Sequence, residues 1–362
     1  MRPLSLFRAP LRYRSGDDAF SPAFAATLSR HFSPVRLADI WPDWHDTLLA
    51  SFPLRFVPLR HRVYRATVLP AVVRRAVESL PAGGMTCVRG EMWMGDESAV
   101  YERRIKERGC YVYNLIDDWF AVSRLAPRAL ARCRLADLIV VPTIRLQEVC
   151  AAKSPGTEVV CIDEPVDSSR FDAVAGAAAD DPAGRKAEQP LVVWAGNPFS
   201  QCELFALSDI LAAVHAVRPF SFVVISGQRR PTLPLSIPWE WRPFSSAVES
   251  DVIPRAWAGL CHLGDDAFAA AKGCYKVKTY MAAGTVPIVS DVGHARTVVR
   301  AAGAGTLVSG NDAVRWKQAL LDALSSREHA GREGARARAY AREAFAFDRI
   351  ADCWAEALEQ LP

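Results

Sequence analysis

Lys272-Gly-Cys-Tyr-Lys276-Val-Lys278-Thr-Tyr-Met-Ala-Ala-Gly284-Thr-Val-Pro287-Ile-Val-Ser-Asp291-Val-Gly293 places five structural signals within 22 residues. Lys272 and Lys276 stand four apart, at or just before a helix start, so they share one face. A helix of small residues follows, and Gly284 is its stop signal. Val286–Ser290 reads as a Pro-containing apolar strand and Gly293 as a turn. Such a unit can aim two ammonium groups at a phosphate from a helix N-terminus, with a buried parallel strand behind it. Lys278 falls elsewhere on the helix and reads as a surface residue.

On both sides of this segment, short apolar runs alternate with helical patterns, which argues for α/β layers. Upstream, strands are expected at Pro3–Arg8, Val35–Ile40, Met85–Arg89, Cys110–Ile116, Leu138–Pro142 and Glu158–Ile162. Helical patterns cover Ser21–His31, Glu97–Arg108, Leu125–Ala136 and Ile144–Ala152, the last with Thr143 as N-cap. Residues 171–190 are small, polar and proline-marked, the composition of a linker. The alternation then restarts with Leu191–Trp194, a helix Cys202–Val217, strands Phe220–Ile225 and Trp239–Phe244, a short helix Val252–Ala256 and a strand Gly259–Leu263. Thr306–Val308 reads as one more strand, and the tail from Asn311 is largely helical. Phe347, Ile350, Ala351, Trp354 and Leu358 in that tail keep helical spacing.

At 362 residues, half of them apolar, the chain suits two domains with full cores. No apolar run reaches the ~18 residues of a membrane span, and the N-terminus has neither a spanning nor a secretory pattern. The expected location is the cytoplasm, including the inner face of a membrane. The nine cysteines are scattered, odd in number and never spaced Cys-x-x-Cys, so they read as reduced thiols, neither a disulfide framework nor a zinc site. Residues 1–170 carry 24 Lys and Arg against 19 Asp and Glu, the remainder 20 against 21. The excess concentrates in residues 52–75, where Arg55, Arg60, Arg62, Arg65, Arg74 and Arg75 stand among apolar residues without an acid. That segment suits peripheral contact with an anionic membrane, or else is a solvated basic face beside a core helix. Pro53, Pro58 and Pro70 are expected to break any long helix there. A net charge of +4 without a basic-aromatic module gives no nucleic-acid reading.

The Lys272–Gly293 segment resembles the donor-binding segment of GT-B glycosyltransferases of the large retaining, GT4-like family. Its pattern there runs Lys-x-x-x-Lys-x-x-x-Tyr-Met-Ala-x-Gly and on through a Pro-led strand to Ser-x-x-Gly. Gly259-Leu-Cys-His-Leu263-Gly-Asp-Asp266 and Phe244-Ser-Ser-Ala-Val-Glu249-Ser-Asp251 extend the likeness upstream. Ala136–Thr143 and Val159–Phe171 resemble the end of that family's first domain. The resemblance implies two Rossmann-like doubly wound domains facing a central cleft. These are an acceptor domain (1–170), a linker (171–190), a donor domain (191–343) and a C-terminal helix (344–362) crossing back to the first domain.

The resemblance also assigns residues. Lys276, with Lys272, would contact the donor's pyrophosphate, where the leaving β-phosphate oxygen gathers charge. Phe244 begins the turn that holds the base. Thr279 would offer a ribose hydroxyl a hydrogen bond. It and Ala271 stand where many relatives carry a pair of acids eight apart. From the strand ends, Gly196 and Asn197 are candidate phosphate contacts or a tight turn. Arg229, with Arg230, is a candidate diphosphate clamp or a solvated pair. Arg89-Gly90-Glu91 and Asn114-Leu-Ile-Asp117-Asp118 also end strands. Asp117 or Asp118 would orient an acceptor hydroxyl, or else cap a helix. Asp265-Asp266 imitates a metal-binding pair, but no metal is expected, because the lysines can neutralise the leaving group.

The implied function is retaining transfer of a sugar from a nucleotide-diphosphate sugar to a glycan, lipid-linked or other hydroxyl acceptor. The leaving phosphate itself would take the acceptor's proton. A non-catalytic GT-B module that binds a nucleotide sugar or a partner enzyme is the alternative, motivated by Ala271 and Thr279. A dinucleotide oxidoreductase is disfavoured, because no Gly-x-Gly-x-x-Gly follows an expected strand.

Overall fold

The computed structural model describes residues 1–8, 20–39, 57–90, 97–172, 183–227, 229–310 and 312–362, and only the backbone at Arg8, Asp39, 57–66 and Phe199. The described residues fall into two compact units. One holds residues 1–8, 20–163 and 351–362, the other 164–350.

In the first unit, strands β1 (Leu4–Arg8), β2 (Val35–Asp39), β3 (Gly84–Arg89), β4 (Gly109–Asn114), β5 (Leu138–Val141) and β6 (Glu158–Cys161) form one parallel sheet in the order β2-β1-β3-β4-β5-β6. The chain runs outward from β1 to one edge and then from β3 to the other, so the order reverses between β1 and β3. Four helices alternate with these strands: α1 (Pro22–Leu28), α2 (Val57–Glu78), α3 (Val100–Arg108) and α4 (Ala126–Leu135). A fifth, α5 (Ile144–Lys153), begins where Thr143 Oγ1 accepts from Leu146 N at 3.1 Å, as its N-cap position requires. β3, β4 and β5 are buried along nearly their whole lengths, as strands covered on both faces must be.

α2 corrects one expectation. It runs 22 residues straight through Pro70, with Pro58 in its first turn. A first-turn proline gives up an N–H that has no helical partner anyway, and an interior one loses a ladder bond and crowds the carbonyl four residues back, a cost of about 3 kcal/mol that packing has to offset. Leu69, Val73, Val77 and Leu80 anchor the helix in the core, while Arg74 and Arg75 face solvent. Arg55, Pro53 and the side chains of Arg60, Arg62 and Arg65 lie outside the described residues. A second surprise is the ion pair of Arg132 on α4 with Glu102 on α3, at 2.7 Å with both side chains almost wholly covered.

The second unit repeats the plan. β7 (Leu191–Ala195), β8 (Ser221–Ile225), β9 (Glu240–Arg242), β10 (Ala258–Cys261), β11 (Val286–Ser290) and β12 (Thr306–Val308) form a parallel sheet ordered β12-β11-β10-β7-β8-β9, reversing between β7 and β10. Its helices are α6 (Cys202–His215), α7 (Ser246–Val252), α8 (Ala267–Ala271), α9 (Tyr275–Ala283), α10 (Gly293–Ala302), α11 (Ala313–Ala323) and α12 (Arg327–Ala344). The short helix expected at Val252–Ala256 is instead α7, started six residues earlier by Ser245 capping Val248 N, and a 3-10 turn Ile253–Arg255.

The last helix, α13 (Phe347–Glu359), carries its residues from Ala351 onward into the first unit. Trp354 meets the Phe20 ring edge-on at 6.0 Å, and His31 Nε2 lies 3.0 Å from Asp352 Oδ1. Of the expected linker, residues 173–182 lie outside the described residues. Residues 183–190 pack in the second unit, with Lys186 fully buried.

Candidate functional site

In open parallel sheets, ligands bind beyond the carboxyl ends of the strands, where the strand order reverses. In the second unit that point lies between β7 and β10, and Tyr280 of α9 is built into it. Its phenol oxygen accepts from Ala195 N at 2.8 Å and donates to Leu260 O at 3.2 Å, joining the two strands. The ring packs so closely on β10 that a Cβ at Gly259 would stand 2.6 Å from it. Gly259 is thus dictated by Tyr280, and the pair fixes α9 against the sheet.

α9 starts three residues after Lys272 and ends at Gly284, whose φ of 78° closes the helix as the sequence suggested. Its N-cap, Cys274, has φ 53°, an uncommon left-handed conformation for a residue with a side chain. Lys276, in the first turn, reaches the end of β7. Its Nζ lies 2.5 Å from Glu203 Oε2 and 4.5 Å from the Trp194 ring centroid. It also lies 3.3 Å from where a Cβ on Gly196 would be. Glu203 also accepts from Trp194 Nε1 at 3.1 Å. Burial works against the Lys276 charge, but the Glu203 carboxylate and its hydrogen bond outweigh it and raise the pKa above the usual lysine value. The site therefore holds a positioned ammonium beside Gly196, whose missing side chain makes room for the Trp194 ring and for Lys276.

The structure brings Lys276 and Gly196 together and disposes the other candidates differently. Lys272 is half-buried, its Nζ 5.4 Å from the Phe268 ring centroid. Asn197 begins a 3-10 turn, its side chain accepting from Ser200 N at 3.0 Å, so it serves the tight-turn reading. Arg229 is exposed, and Arg230 stacks over Trp239 at 4.7 Å. Phe244 is 9% exposed and belongs to the hydrophobic core. Thr279 is buried and its hydroxyl donates to Tyr275 O at 3.1 Å, the backbone-directed bond common for threonine in helices.

Lys278 corrects the surface reading: it is fully buried, with its ammonium 5.3 Å from the Phe345 ring centroid. α9 is covered on nearly all sides, so even its off-face positions are interior. Asp266 caps α8 through Ala269 N at 2.8 Å. Among the described residues, no group of three or more His, Cys, Asp or Glu is placed to hold a metal ion.

In the first unit, Asp118 is buried and accepts from Phe120 N and Ala121 N, capping the 3-10 turn Trp119–Ala121. That is the structural alternative stated above, and it engages one carboxylate oxygen of Asp118. Asp117 is half-exposed beyond the end of β4. Arg89 ends β3 buried, donating to Asn114 Oδ1 at 2.6 Å, while Asn114 Nδ2 donates to Val140 O at 3.1 Å. The two tie β3, β4 and β5 together at their carboxyl ends. Glu91 lies outside the described residues.

Sequence reasoning missed Glu203 and Trp194. A signal existed. Glu203 shares a helical face with Leu207, Ile210 and Val214, all buried. An acid on such a face needs a partner, and a lysine is the simplest one.

No family model and no curated protein sequence matches the chain. Solved structures do. A sucrose-phosphate synthase from Thermosynechococcus elongatus superposes at TM-score 0.68 with 13% identity, covering 99% of each chain. HepE of Anabaena, solved in complex with UDP-glucose, gives 0.68 and 13% over 100% of each. The α,α-trehalose-6-phosphate synthase of Burkholderia multivorans gives 0.64 and 12% over 99% of this chain and 96% of its own. At this identity the likeness concerns architecture: the chain has the GT-B fold, two Rossmann-like domains each built on a six-stranded parallel sheet.

Proposed function

We propose that the chain is a retaining glycosyltransferase, GT4-like, that moves a sugar from a nucleotide-diphosphate donor to a hydroxyl of a glycan or lipid-linked acceptor. The observation that carries the reading is Lys276, held as an ammonium in the first turn of α9, at the strand-order reversal and beside Gly196. A leaving nucleoside diphosphate develops charge on its β-phosphate oxygen, and a preorganised cation with the free N–H groups of a helix N-terminus stabilises it. The helix adds a partial positive charge on the same side.

In this scheme the pyrophosphate approaches Gly196 closely and draws Lys276 from Glu203, while Lys272 completes the neutralisation. No metal is required. The departing phosphate takes the acceptor's proton, and the configuration at the anomeric carbon is retained. Asp117 is assigned the acceptor hydroxyl. Two of the structural neighbours are by name synthases of sugar phosphates, and HepE was solved with UDP-glucose, which makes uridine nucleotides the first to test. The basic 52–75 segment remains a candidate for contact with the inner face of a membrane. No helix among the described residues is long and apolar enough to cross one.

A second reading, a non-catalytic module, is favoured by one observation: Thr279 commits its hydroxyl to Tyr275 O, and Ala271 offers no polar group. Calorimetric titration with UDP, GDP, ADP, dTDP and CDP, followed by donor hydrolysis or transfer assays, decides between them. Binding of one diphosphate with sugar turnover supports the transferase. Binding without turnover for any acceptor leaves the nucleotide-sugar module, and no binding removes the transferase and leaves a module that binds a partner enzyme.

A further inference from the structure

Three arginines of the second unit gather around Phe171 and Asp172 at the far end of α9 from Lys276. Arg338 and Arg342, one turn apart on α12, both pair with Asp172, Arg342 through both carboxylate oxygens at 2.7 and 2.8 Å. Arg185 donates to Phe171 O, next to Asp172. The side chain of Arg338 passes Gly284, its Cδ 3.7 Å from where a Cβ would stand there. Beside it, Lys186 Nζ donates to Ala256 O at 2.8 Å and to Gly284 O.

Among the described residues the charges do not balance. Among them, Asp172 is the sole carboxylate paired with Arg338 and Arg342, and Arg185 bonds only a backbone carbonyl. The Nε atoms of Arg185 and Arg338 are buried and have no hydrogen-bond partner among the described residues. Burial, Arg185 and Arg342 together lower Arg338 to about 10. Burial lowers Arg185 as well, with Arg342 opposing its charge too. Such crowding is costly for a purely structural cluster and is relieved by an anion with several acceptor oxygens. Arg338 is only 12% exposed and Arg342 49%, so the opening suits a small anion better than a flat surface.

We propose that Arg185, Arg338 and Arg342 form a second anion site, distinct from the donor site, for a soluble phosphate or phosphate monoester. The site goes beyond the transferase reading and stands without it. Asp172 serves as its internal stand-in, to be partly displaced when the phosphate enters.

Inorganic phosphate is the probe, read by calorimetry and by melting temperature against chloride of equal ionic strength. At a concentration about tenfold above Kd, phosphate should raise the melting temperature by about 3 °C. Arg342→Gln, at a half-exposed position that folding tolerates, should weaken phosphate binding at least about tenfold, the loss of one charge-assisted contact. Asp172→Asn should tighten it several-fold, because the competing carboxylate is gone. Lys276→Ala should leave phosphate binding as it is, and its own response to nucleoside diphosphates reports separately on the donor reading. The proposal is overturned by a wild-type shift no larger than with chloride, or by one that survives Arg342→Gln. A shift that disappears in Lys276→Ala also overturns it, since the anion then occupies the donor site. Arg342-dependent flotation with phosphatidic acid vesicles, without any effect of inorganic phosphate, would assign the cluster to a lipid headgroup and overturn the soluble ligand.

Discussion

Glu203 Oε2 lies 2.5 Å from Lys276 Nζ, so the cation proposed for the donor phosphate is paired within the protein itself. The pair is nearly covered, with 8% of the Glu203 side chain and 17% of the Lys276 side chain exposed. Removing one member of such a pair strands the other charge. Lys276→Ala should therefore lose both donor affinity and stability, the latter by about 2 kcal/mol or more. The affinity loss should be at least tenfold, given about 1.5–3 kcal/mol for a charge-assisted hydrogen bond. The double variant Lys276→Ala/Glu203→Gln should regain most of the stability and none of the affinity. Urea unfolding and calorimetry with UDP measure the two separately. Wild-type affinity in Lys276→Ala would end the donor-site assignment.

Tyr280 occupies the space that a side chain on Gly259 would need. Gly259→Ala should cost about 1–3 kcal/mol by overpacking, because the ring is anchored at both Ala195 N and Leu260 O and has no room to retreat. Tyr280→Phe keeps the shape but strands the Ala195 N–H, for about 1–3 kcal/mol. Chemical denaturation of both variants checks this. A neutral Gly259→Ala would mean that α9 is free to shift away from β10.

Legibility followed how local the cause is. Strand and helix order came through because buried parallel strands are short apolar runs with turn signals at their ends, as at Val286–Ser290 and Thr306–Val308. Caps came through at Thr143, because the bond is made within three residues. Spacing and the family resemblance single out Lys276 as a candidate, but say nothing of its partners. Glu203 is 73 residues away, and only tertiary packing brings it near. Lys278 was misread for the same reason: its helix is buried on the sides as well as the face, and no local pattern says so. Pro70 was read as a breaker, yet the burial of Leu69, Val73 and Val77 on one face of α2 outweighs the lost ladder bond and the crowded carbonyl.

Asp117 and Asp118 are adjacent yet separable. Asp118→Ala removes the cap of the Trp119–Ala121 turn and should cost about 0.5–2 kcal/mol of stability. Asp117→Asn should leave stability within about 0.5 kcal/mol, because the position is half-exposed. It should lower turnover more than donor affinity, as expected of a residue that orients the acceptor. Comparing kcat with the UDP dissociation constant distinguishes the two. An equal loss in both would remove Asp117 from the acceptor.

Lys186 links the packed end of the expected linker to the C-terminus of α9. Its ammonium is surrounded by the carbonyl oxygens of Pro254, Ala256 and Gly284. Burial, with the Arg185 and Arg338 charges nearby, nevertheless lowers its pKa to about 7 from an ordinary 10.5. Between those two values the unfolded chain binds the extra proton and the native protein does not. Stability from this group should therefore rise with pH from about 7 to about 10.5, with a slope approaching 1.4 kcal/mol per unit mid-window, and should be flat below 7. Lys186→Met keeps the length of the side chain and removes the titration. Urea unfolding across pH 7 to 10 should show a wild-type curve that climbs relative to the variant, because the variant cancels every other titrating group in the comparison. Parallel curves would mean that the three carbonyl oxygens hold Lys186 charged throughout, and that burial is fully offset by its hydrogen bonds.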